Sequence, residues 1–147
     1  MKEKRNEQTI PLESTIPNEK IRIARCAIIL NEKGEVLLSK RDKDPFRGKW
    51  AFVSGKGKEN IHDEVICDLG TKATFEGEEK FSYQKAKDSK LGNKVLVFVG
   101  HLKEGSEITP QSGESASFEW VTLEEASKRD LAFEHNEILK EYLSTIQ

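Results

Sequence analysis

The chain has 147 residues, of which 35% are hydrophobic and 34% are charged, and its formal net charge at pH 7 is −2. This length suits one domain with a sizeable core, and the composition is typical of a soluble globular protein. The small negative charge gives no electrostatic basis for binding to duplex nucleic acid or to anionic membranes. No apolar run reaches the length of a membrane span, and the N-terminus lacks the apolar segment of a signal peptide. The two cysteines have no metal-type spacing, so we expect a cytoplasmic protein.

The first residues, 1–20, differ in composition from the rest of the chain. They are polar and contain Pro11 and Pro17, which favours a flexible leader over a packed element. No motif in this leader indicates a function. The domain is therefore expected to span residues 21–147.

Apolar and β-branched runs separated by turn residues predict the strands. The first two runs flank Asn31–Gly34, whose composition is typical of a hairpin turn, and residues 88–93 predict a later turn. The predicted strands are, in chain order, residues 21–30, 35–41, 50–54, 81–85, 94–102 and 117–122. Thr122 is a good N-cap for a short helix, and the apolar spacing predicts a closing helix from Glu134.

The stretch from Gly48 to Phe75 combines features that the other segments lack. A loop rich in glycine and lysine, residues 54–58, leads from the third strand into an amphipathic segment. Apolar residues recur there at a spacing of four, on one stripe of a helix: Ile61, Val65, Leu69 and Ala73. Asp68, Thr71 and Lys72 follow the edge of this stripe, so we expect their side chains to converge. A strand, a glycine loop and a helix start form an anion-binding layout, because free N–H groups gather there.

These residues resemble the Nudix box, the pattern G-x5-E-x7-R-E-U-x-E-E-x-G-U in which U is aliphatic. With Gly55 as the first Gly and Glu59 as the first Glu, the gap between them is two residues short. From Glu59 onward the spacing holds, and R-E-U-x-E-E-x-G-U reads here as C-D-L-G-T-K-A-T-F, beginning at Cys67. The resemblance covers about residues 21–145 and implies an α/β fold, the Nudix-type α/β/α sandwich with a mixed β-sheet.

Two flanking segments resemble one branch of that family, the ADP-ribose pyrophosphatases. They are RDKDPFRGKWAF, which begins at Arg41, and LAFEHNEIL, which begins at Leu131. The resemblance implies a small-molecule ligand of the nucleoside-diphosphate type. Because many Nudix proteins are homodimers, it also leaves a homodimer open.

The substitutions in the box bear on a metal site. In the family, three glutamates of the box helix hold Mg²⁺ or Mn²⁺, which activates water and neutralises a diphosphate. In this register only Asp68 keeps a carboxylate, whereas Thr71 is neutral and Lys72 is positive. The formal charge of the three positions therefore changes from −3 to 0. Divalent cations need several oxygen ligands, and an ammonium about 4 Å away costs several kcal/mol at an effective dielectric near 20. We therefore expect Mg²⁺ or Mn²⁺ to bind weakly or not at all.

The resemblance implies a set of candidate site residues. Candidate catalytic residues are Glu59, Asp68 and Glu114; candidate substrate-binding residues are Arg41, Trp50, Lys56 and Lys72; and candidate metal ligands are Gly55, through its carbonyl oxygen, and Asp68. Each also has a simpler interpretation. Asp68 and Lys72 have the spacing of a surface ion pair, and Glu59 suits the positive end of a helix dipole.

Two functions of different classes follow from these residues. The first is a nucleotide-diphosphate-binding protein with impaired or lost hydrolysis, in which Lys72 replaces the metal as the cation that faces a phosphate. The second is an active Mg-dependent Nudix hydrolase, a pyrophosphatase, with a non-standard metal site built from Asp68, Glu59, Glu114 and backbone oxygen. A third is a structural or interaction protein without a nucleotide ligand. The box substitutions favour the first and third functions, and the fold resemblance alone does not decide between them.

Overall fold

The computed structural model describes residues 23–56, 60–84 and 94–146. The predicted leader, residues 1–20, and the predicted turn, residues 88–93, lie outside the described residues. In chain order the elements are β1 (Ile23–Ile29), β2 (Val36–Arg41), β3 (Trp50–Ala51), β4 (Val53–Lys56), α1 (Ile61–Leu69), β5 (Phe75–Gln84), β6 (Lys94–Leu102), β7 (Ser115–Val121), α2 (Leu123–Ser127) and α3 (His135–Thr145). No helix in these ranges has the length and apolar character needed to cross a membrane.

The strands form two sheets. The first has four strands in the order β4-β1-β6-β5, and it is mixed because β1 pairs antiparallel with β4 and parallel with β6. Strand β5 lies at its edge, antiparallel to β6. The second sheet has three antiparallel strands in the order β3-β2-β7. The predicted α/β fold with a mixed sheet is confirmed.

Strand β1 contributes side chains to two separate cores. Cys26 and Ile28 pack into the core that α2 and α3 cover, whereas Ala27 and Ile29 pack into the core that α1 covers. Successive side chains of a strand point to opposite faces, so a strand buried on both faces needs a helix on each side. The sheets therefore lie between two helical layers, which is the sandwich that the resemblance implied.

Three strand predictions differ from the structure. The predicted hairpin of β1 and β2 is wrong, because both edges of β1 pair with other strands, and only an isolated bridge links Leu30 to Val36. The predicted single strand at 50–54 is divided at Phe52 between the two sheets. Strand β5 begins at Phe75, six residues before the predicted start at residue 81. The prediction missed this part because residues 76–80 are exposed at the sheet edge and show no apolar alternation.

Helix α1 begins and ends at residues with clear capping chemistry. Asn60 is the N-cap, and its Oδ1 accepts a hydrogen bond from the N–H of Asp63 at 2.9 Å. Gly70 follows the last helical residue and has φ 97° and ψ 168°, a region of backbone space that is essentially restricted to glycine. Its N–H still donates to the carbonyl of Ile66 at 2.9 Å. The helix cannot continue past this residue.

The early helix end contradicts the predicted convergence of three side chains. Asp68 is in α1 and buried, but Thr71 and Lys72 lie beyond the helix and are exposed. Neither can therefore lie one helical turn from Asp68 on a common face. The prediction followed the apolar spacing through Ala73 and gave too little weight to Gly70 as a stop signal.

Substituting Gly70 tests how strongly the sequence fixes the end of α1. Gly70→Ala should lower the free energy of unfolding by about 1–3 kcal/mol, the usual cost of such a backbone conformation. The new Cβ would also lie 3.0 Å from Gln111 Nε2 and 3.3 Å from Thr109 Cβ. Urea unfolding measures the loss. Gly105→Ala separates the two costs: Gly105 also has a positive φ, +90°, but nothing lies within 4 Å of a new Cβ, so this variant should lose only the backbone cost and Gly70→Ala should lose more. Unchanged stability of Gly70→Ala would contradict the assigned helix end.

Candidate functional site

A cleft of about 700 Å³ is lined by residues from both helical layers. Helix α1 and strand β4 contribute one side of it, and the loop after β2 and the start of α3 contribute the other. The residues used below that line it are Arg41, Lys43, Ser54, Gly55, Glu64, Cys67, Asp68, Glu114, Phe133 and His135.

Two carboxylates of α1 are buried against strand β4. Glu64 is 3% exposed and Asp68 is 7% exposed. The N–H of Ser54 donates to Asp68 Oδ2 at 3.3 Å. The Glu64 carboxylate lies so close to Gly55 that a Cβ added there would overlap Glu64 Oε1. The absence of a side chain at Gly55 is therefore what lets α1 place its acidic edge on the strand.

Burial changes the ionisation of Asp68. Removal from water is the main cause that raises its pKa from 3.8 to about 7, and the carboxylates of Glu114 and Glu64 act in the same direction. The hydrogen bond from Ser54 and the charge of Lys43 act in the opposite direction without cancelling the effect. At neutral pH Asp68 is therefore close to half protonated, so it can hold or release a proton as the local charge changes.

Arg41 is the end residue of β2 and is oriented by two contacts. Its Nε donates to the carbonyl oxygen of Pro45 at 2.7 Å, and its guanidinium carbon lies 4.7 Å from the centre of the Phe133 ring. Burial lowers the pKa of Arg41, and nearby carboxylates including Asp68 oppose this. A guanidinium keeps its charge under these conditions, so Arg41 supplies a fixed positive charge to the cleft.

Glu114 lies on the rim of the cleft, just before β7. Its Oε1 forms an ion pair with Lys43 Nζ at 2.9 Å. Both side chains are partly exposed, so the pair contributes little to stability. Its effect is local, because it holds the Glu114 carboxylate near enough to raise the pKa of Asp68.

His135, the first residue of α3, was not predicted as a site residue. It is 4% exposed, and its Nδ1 accepts a hydrogen bond from the N–H of Phe52 at 3.1 Å. Burial and the charge of Arg41 lower its pKa from 6.5 to about 3, so the ring is neutral. Since Nδ1 accepts, the ring proton is on Nε2. Nothing in the spacing of the three histidines signalled this role, which depends on a contact 83 residues away in sequence.

The predicted site residues divide into those that line the cleft and those that do not. The structure brings together Arg41, Gly55, Asp68 and Glu114. It does not bring Trp50 or Lys72 to the cleft: the guanidinium of Arg129 lies 5.3 Å above the Trp50 ring, and Lys72 is exposed beyond α1. Lys56 ends β4, but its side chain lies outside the described part of the chain, as does all of Glu59.

The layered fold and the acidic helix edge define a class of protein, and comparisons with known proteins identify the family. Residues 20–142 match the family model of the NUDIX domain, so the chain belongs to this family. It is 30% identical over 115 residues to the ADPR responsive transcriptional repressor NtrR of Acinetobacter baylyi. That match covers 73% of this chain but only 46% of the repressor, so the chain spans less than half of the repressor's length.

Solved structures share the fold. The NUDIX domain of Shewanella oneidensis NrtR, complexed with ADP ribose, matches with a TM-score of 0.65 and 14% identity, over 86% of this chain and 88% of that one. The E. coli ORF135 protein matches with a TM-score of 0.64 and 26% identity, over 92% of this chain and 95% of that one. The predicted membership of the Nudix superfamily is confirmed.

The helix end corrects the register of the box. Gly70 directly follows α1, and placing the last Gly of the pattern there moves the register four residues earlier than in the sequence alignment. The segment R-E-U-x-E-E-x-G then reads D-E-V-I-C-D-L-G, beginning at Asp63. The three positions of the family's glutamates become Glu64, Cys67 and Asp68, with a formal charge of −2 when both carboxylates are ionised. One position therefore matches the pattern, one carries the shorter carboxylate, and one is a cysteine.

The residues present provide an incomplete site for a divalent cation. Glu64 and Asp68 have the oxygen ligands that Mg²⁺ and Mn²⁺ prefer. Among the described residues, however, no group of three or more His, Cys, Asp or Glu side chains is arranged to hold a metal ion. The described site therefore does not fit a cation held by three box carboxylates.

The raised pKa of Asp68 predicts a pH dependence of stability in metal-free protein. Between about pH 4 and pH 7 Asp68 keeps a proton in the folded chain that it has lost in the unfolded chain, so its contribution to the free energy of unfolding falls as pH rises through this window. The buried His135, with a pKa of about 3, contributes in the opposite direction below about pH 6.5, so the effect of Asp68 is read from the difference between the wild type and the variant. At about 1.4 kcal/mol per pKa unit, the total effect approaches ~4 kcal/mol. Asp68→Asn should remove this loss. Urea unfolding in the presence of EDTA at pH 4, 6 and 8 measures the free energy of unfolding of both proteins. If the difference between the wild type and the variant does not change with pH, the raised pKa of Asp68 is contradicted.

The corrected register predicts that Cys67→Glu strengthens divalent metal binding. Cys67 lines the cleft, and a charge about 4 Å from a divalent cation is worth ~2 kcal/mol even in water. We expect the wild-type chain to bind Mn²⁺ more weakly than about millimolar, the weak end of the biological range, and the variant to bind at least ~10 times more tightly. Calorimetric titration measures both. Lys72→Glu is the control and should leave affinity unchanged, since Lys72 is outside the cleft. Equal gains in both variants would refute the corrected register.

Proposed function

We propose that this chain binds a nucleoside diphosphate of the ADP-ribose type and has impaired or lost hydrolytic activity. The observation that carries this proposal is the composition of the cleft, where Arg41 and two box carboxylates remain but Cys67 occupies the third carboxylate position. The relatives support the ligand class. The Acinetobacter repressor is ADPR responsive, and the Shewanella NUDIX domain was crystallised with ADP ribose.

The charges that line the cleft set a condition on such a ligand. Among the described residues, five acidic side chains line it, Asp44, Glu64, Asp68, Glu114 and Glu134, against three basic side chains, Arg25, Arg41 and Lys43. A diphosphate would be repelled by this excess unless positive charge or protons enter with it. Asp68, with a pKa of about 7, supplies one such adjustment, because protonation removes a negative charge without moving any atom. Arg41 supplies the fixed cation.

Impaired hydrolysis follows from the ligand count. A metal-assisted hydrolysis needs a cation that activates water and stabilises the leaving phosphate. With Cys67 in place of the third carboxylate, the box helix offers two hard oxygen ligands. With two carboxylates, the box helix should hold such a cation more weakly than three carboxylates would. Binding and hydrolysis are thus separated by one side chain.

The alternative function, an active Mg-dependent pyrophosphatase with a non-standard metal site, is favoured by one specific observation. Glu64 and Asp68 are both buried beside the backbone of β4, where Gly55 leaves room, and Glu114 lies on the same cleft. The side chain of Glu59 lies outside the described residues. Turnover separates the two functions. A rate of roughly 1 s⁻¹ or more on ADP-ribose with Mg²⁺ or Mn²⁺ would establish the alternative, provided that Glu64→Gln abolishes it.

Ligand binding is tested with ADP-ribose and a pair of matched variants. Arg41→Gln should weaken ADP-ribose binding by about ten- to a hundredfold, because a charge-assisted contact to phosphate is worth about 1.5–3 kcal/mol. Lys72→Gln removes an equal charge outside the cleft and should leave the affinity unchanged. Calorimetry measures the dissociation constants. Absence of ADP-ribose binding to the wild-type chain at millimolar concentration would overturn the proposal.

A further inference from the structure

The His135 ring is fixed in place by its neighbours. Phe52 stacks on it with a centroid distance of 5.3 Å and an interplanar angle of 23°, and Phe133 lies on it at 5.6 Å. The hydrogen bond from the Phe52 N–H fixes its rotation, because Nδ1 must face that donor. A ring held in this way loses no conformational freedom when it binds a ligand.

The other ring nitrogen of His135, Nε2, is not used by the contact with Phe52. His135 lines the cleft, and no acceptor within residues 23–56, 60–84 and 94–146 takes a hydrogen bond from Nε2. Nε2 is not fully enclosed by the residues in these ranges. The side chain is 4% exposed, yet this one N–H is open to the cleft. A buried ring with an available donor has a functional rather than a structural explanation, since the structural contact uses only Nδ1.

Exposed aromatic surface lies next to this donor. Phe133 is 41% exposed and Phe46 is 42% exposed, and their rings form an edge-to-face pair at 5.0 Å. Both residues have positive φ, 55° and 66°, which is rare for a bulky side chain. Phe133 lines the cleft and Phe46 packs against it, so two large apolar rings in an unfavourable backbone conformation form a surface that suits a flat ligand group.

We propose that His135 Nε2 donates a hydrogen bond to the base of the bound nucleotide, which packs on Phe133 and Phe46. This inference rests on the proposed function and assigns the nucleoside subsite within it. A neutral N–H beside two phenyl rings suits a ring nitrogen or carbonyl oxygen of a base, while the charged phosphates are matched by Arg41. The nucleotide would then extend from α3, where its base binds, toward the carboxylates of α1.

Two substitutions separate the ligand contact from the structural one. In His135→Asn, Oδ1 can still accept from the Phe52 N–H, but no donor reaches the position of Nε2. In His135→Gln, the amide N–H can reach that position, whereas the acceptor for Phe52 is lost. We expect His135→Asn to unfold near the wild-type temperature and to bind ADP-ribose about three- to tenfold more weakly, the effect of one lost neutral hydrogen bond. His135→Gln should unfold at a lower temperature but bind ADP-ribose with nearly wild-type affinity.

A spectroscopic measurement decides the matter if either variant fails to fold. In the wild-type chain, the Nε2–H resonance of His135 should shift on addition of ADP-ribose and stay unchanged on addition of inorganic pyrophosphate, which has no base. An equal shift with pyrophosphate would place phosphate at His135 and overturn the subsite. Equal ADP-ribose affinity in His135→Asn and the wild type would overturn it as well, with the proposed function intact. If the wild type binds no ADP-ribose, the proposed function itself fails, and the subsite fails with it.

Discussion

The close approach of helix α1 to strand β4 is the contact on which the site depends. Gly55 contributes by having no side chain, because a Cβ there would overlap the Glu64 carboxylate where it now lies. The same approach brings Asp68 to the N–H of Ser54, which gives the helix a polar attachment to the strand. The apolar stripe of α1 holds the helix on its core, and these two contacts set its rotation and depth. The acidic edge therefore faces the cleft with helix packing and a backbone hydrogen bond contributing to its position.

The sequence predicted the layers of this fold better than its pairings. The apolar runs at β1 and β6 and the spacing in α1 and α3 are consequences of burial, which a single chain records directly. Pairing depends on which strand edges are already occupied, and the failed β1–β2 hairpin shows that this information is non-local. The sequence likewise predicted some residues of the site and missed others. Arg41, Asp68 and Glu114 stand in recognisable patterns, but His135 gains its role through Phe52, a contact that no local spacing records.

Moving the box register by four residues changes which carboxylates of the family pattern this chain lacks. The early register replaced two carboxylates by a threonine and a lysine; the register set by Gly70 leaves Glu64 and Asp68 and replaces only the third by Cys67. Spacing counted from Glu59 assumed a loop of the family's length, whereas the helix end is fixed by backbone conformation. Where a loop is shortened, the terminating glycine is thus the safer reference point. In this register the box differs from the three glutamates of the family by the loss of one carboxylate.

Burial moves two side chains of the cleft, Asp68 and His135, toward their neutral forms, but with different consequences. It raises the pKa of Asp68 to about 7, so this group can change its charge in response to whatever enters beside it. It lowers the pKa of His135 to about 3, helped by Arg41, so that ring stays a neutral donor at any physiological pH. The side of the cleft formed by α1 can thus change its charge through Asp68, whereas His135 at the start of α3 stays uncharged. That division suits a ligand with an anionic centre and an uncharged, hydrogen-bonding end, because each part meets the kind of group that can accommodate it.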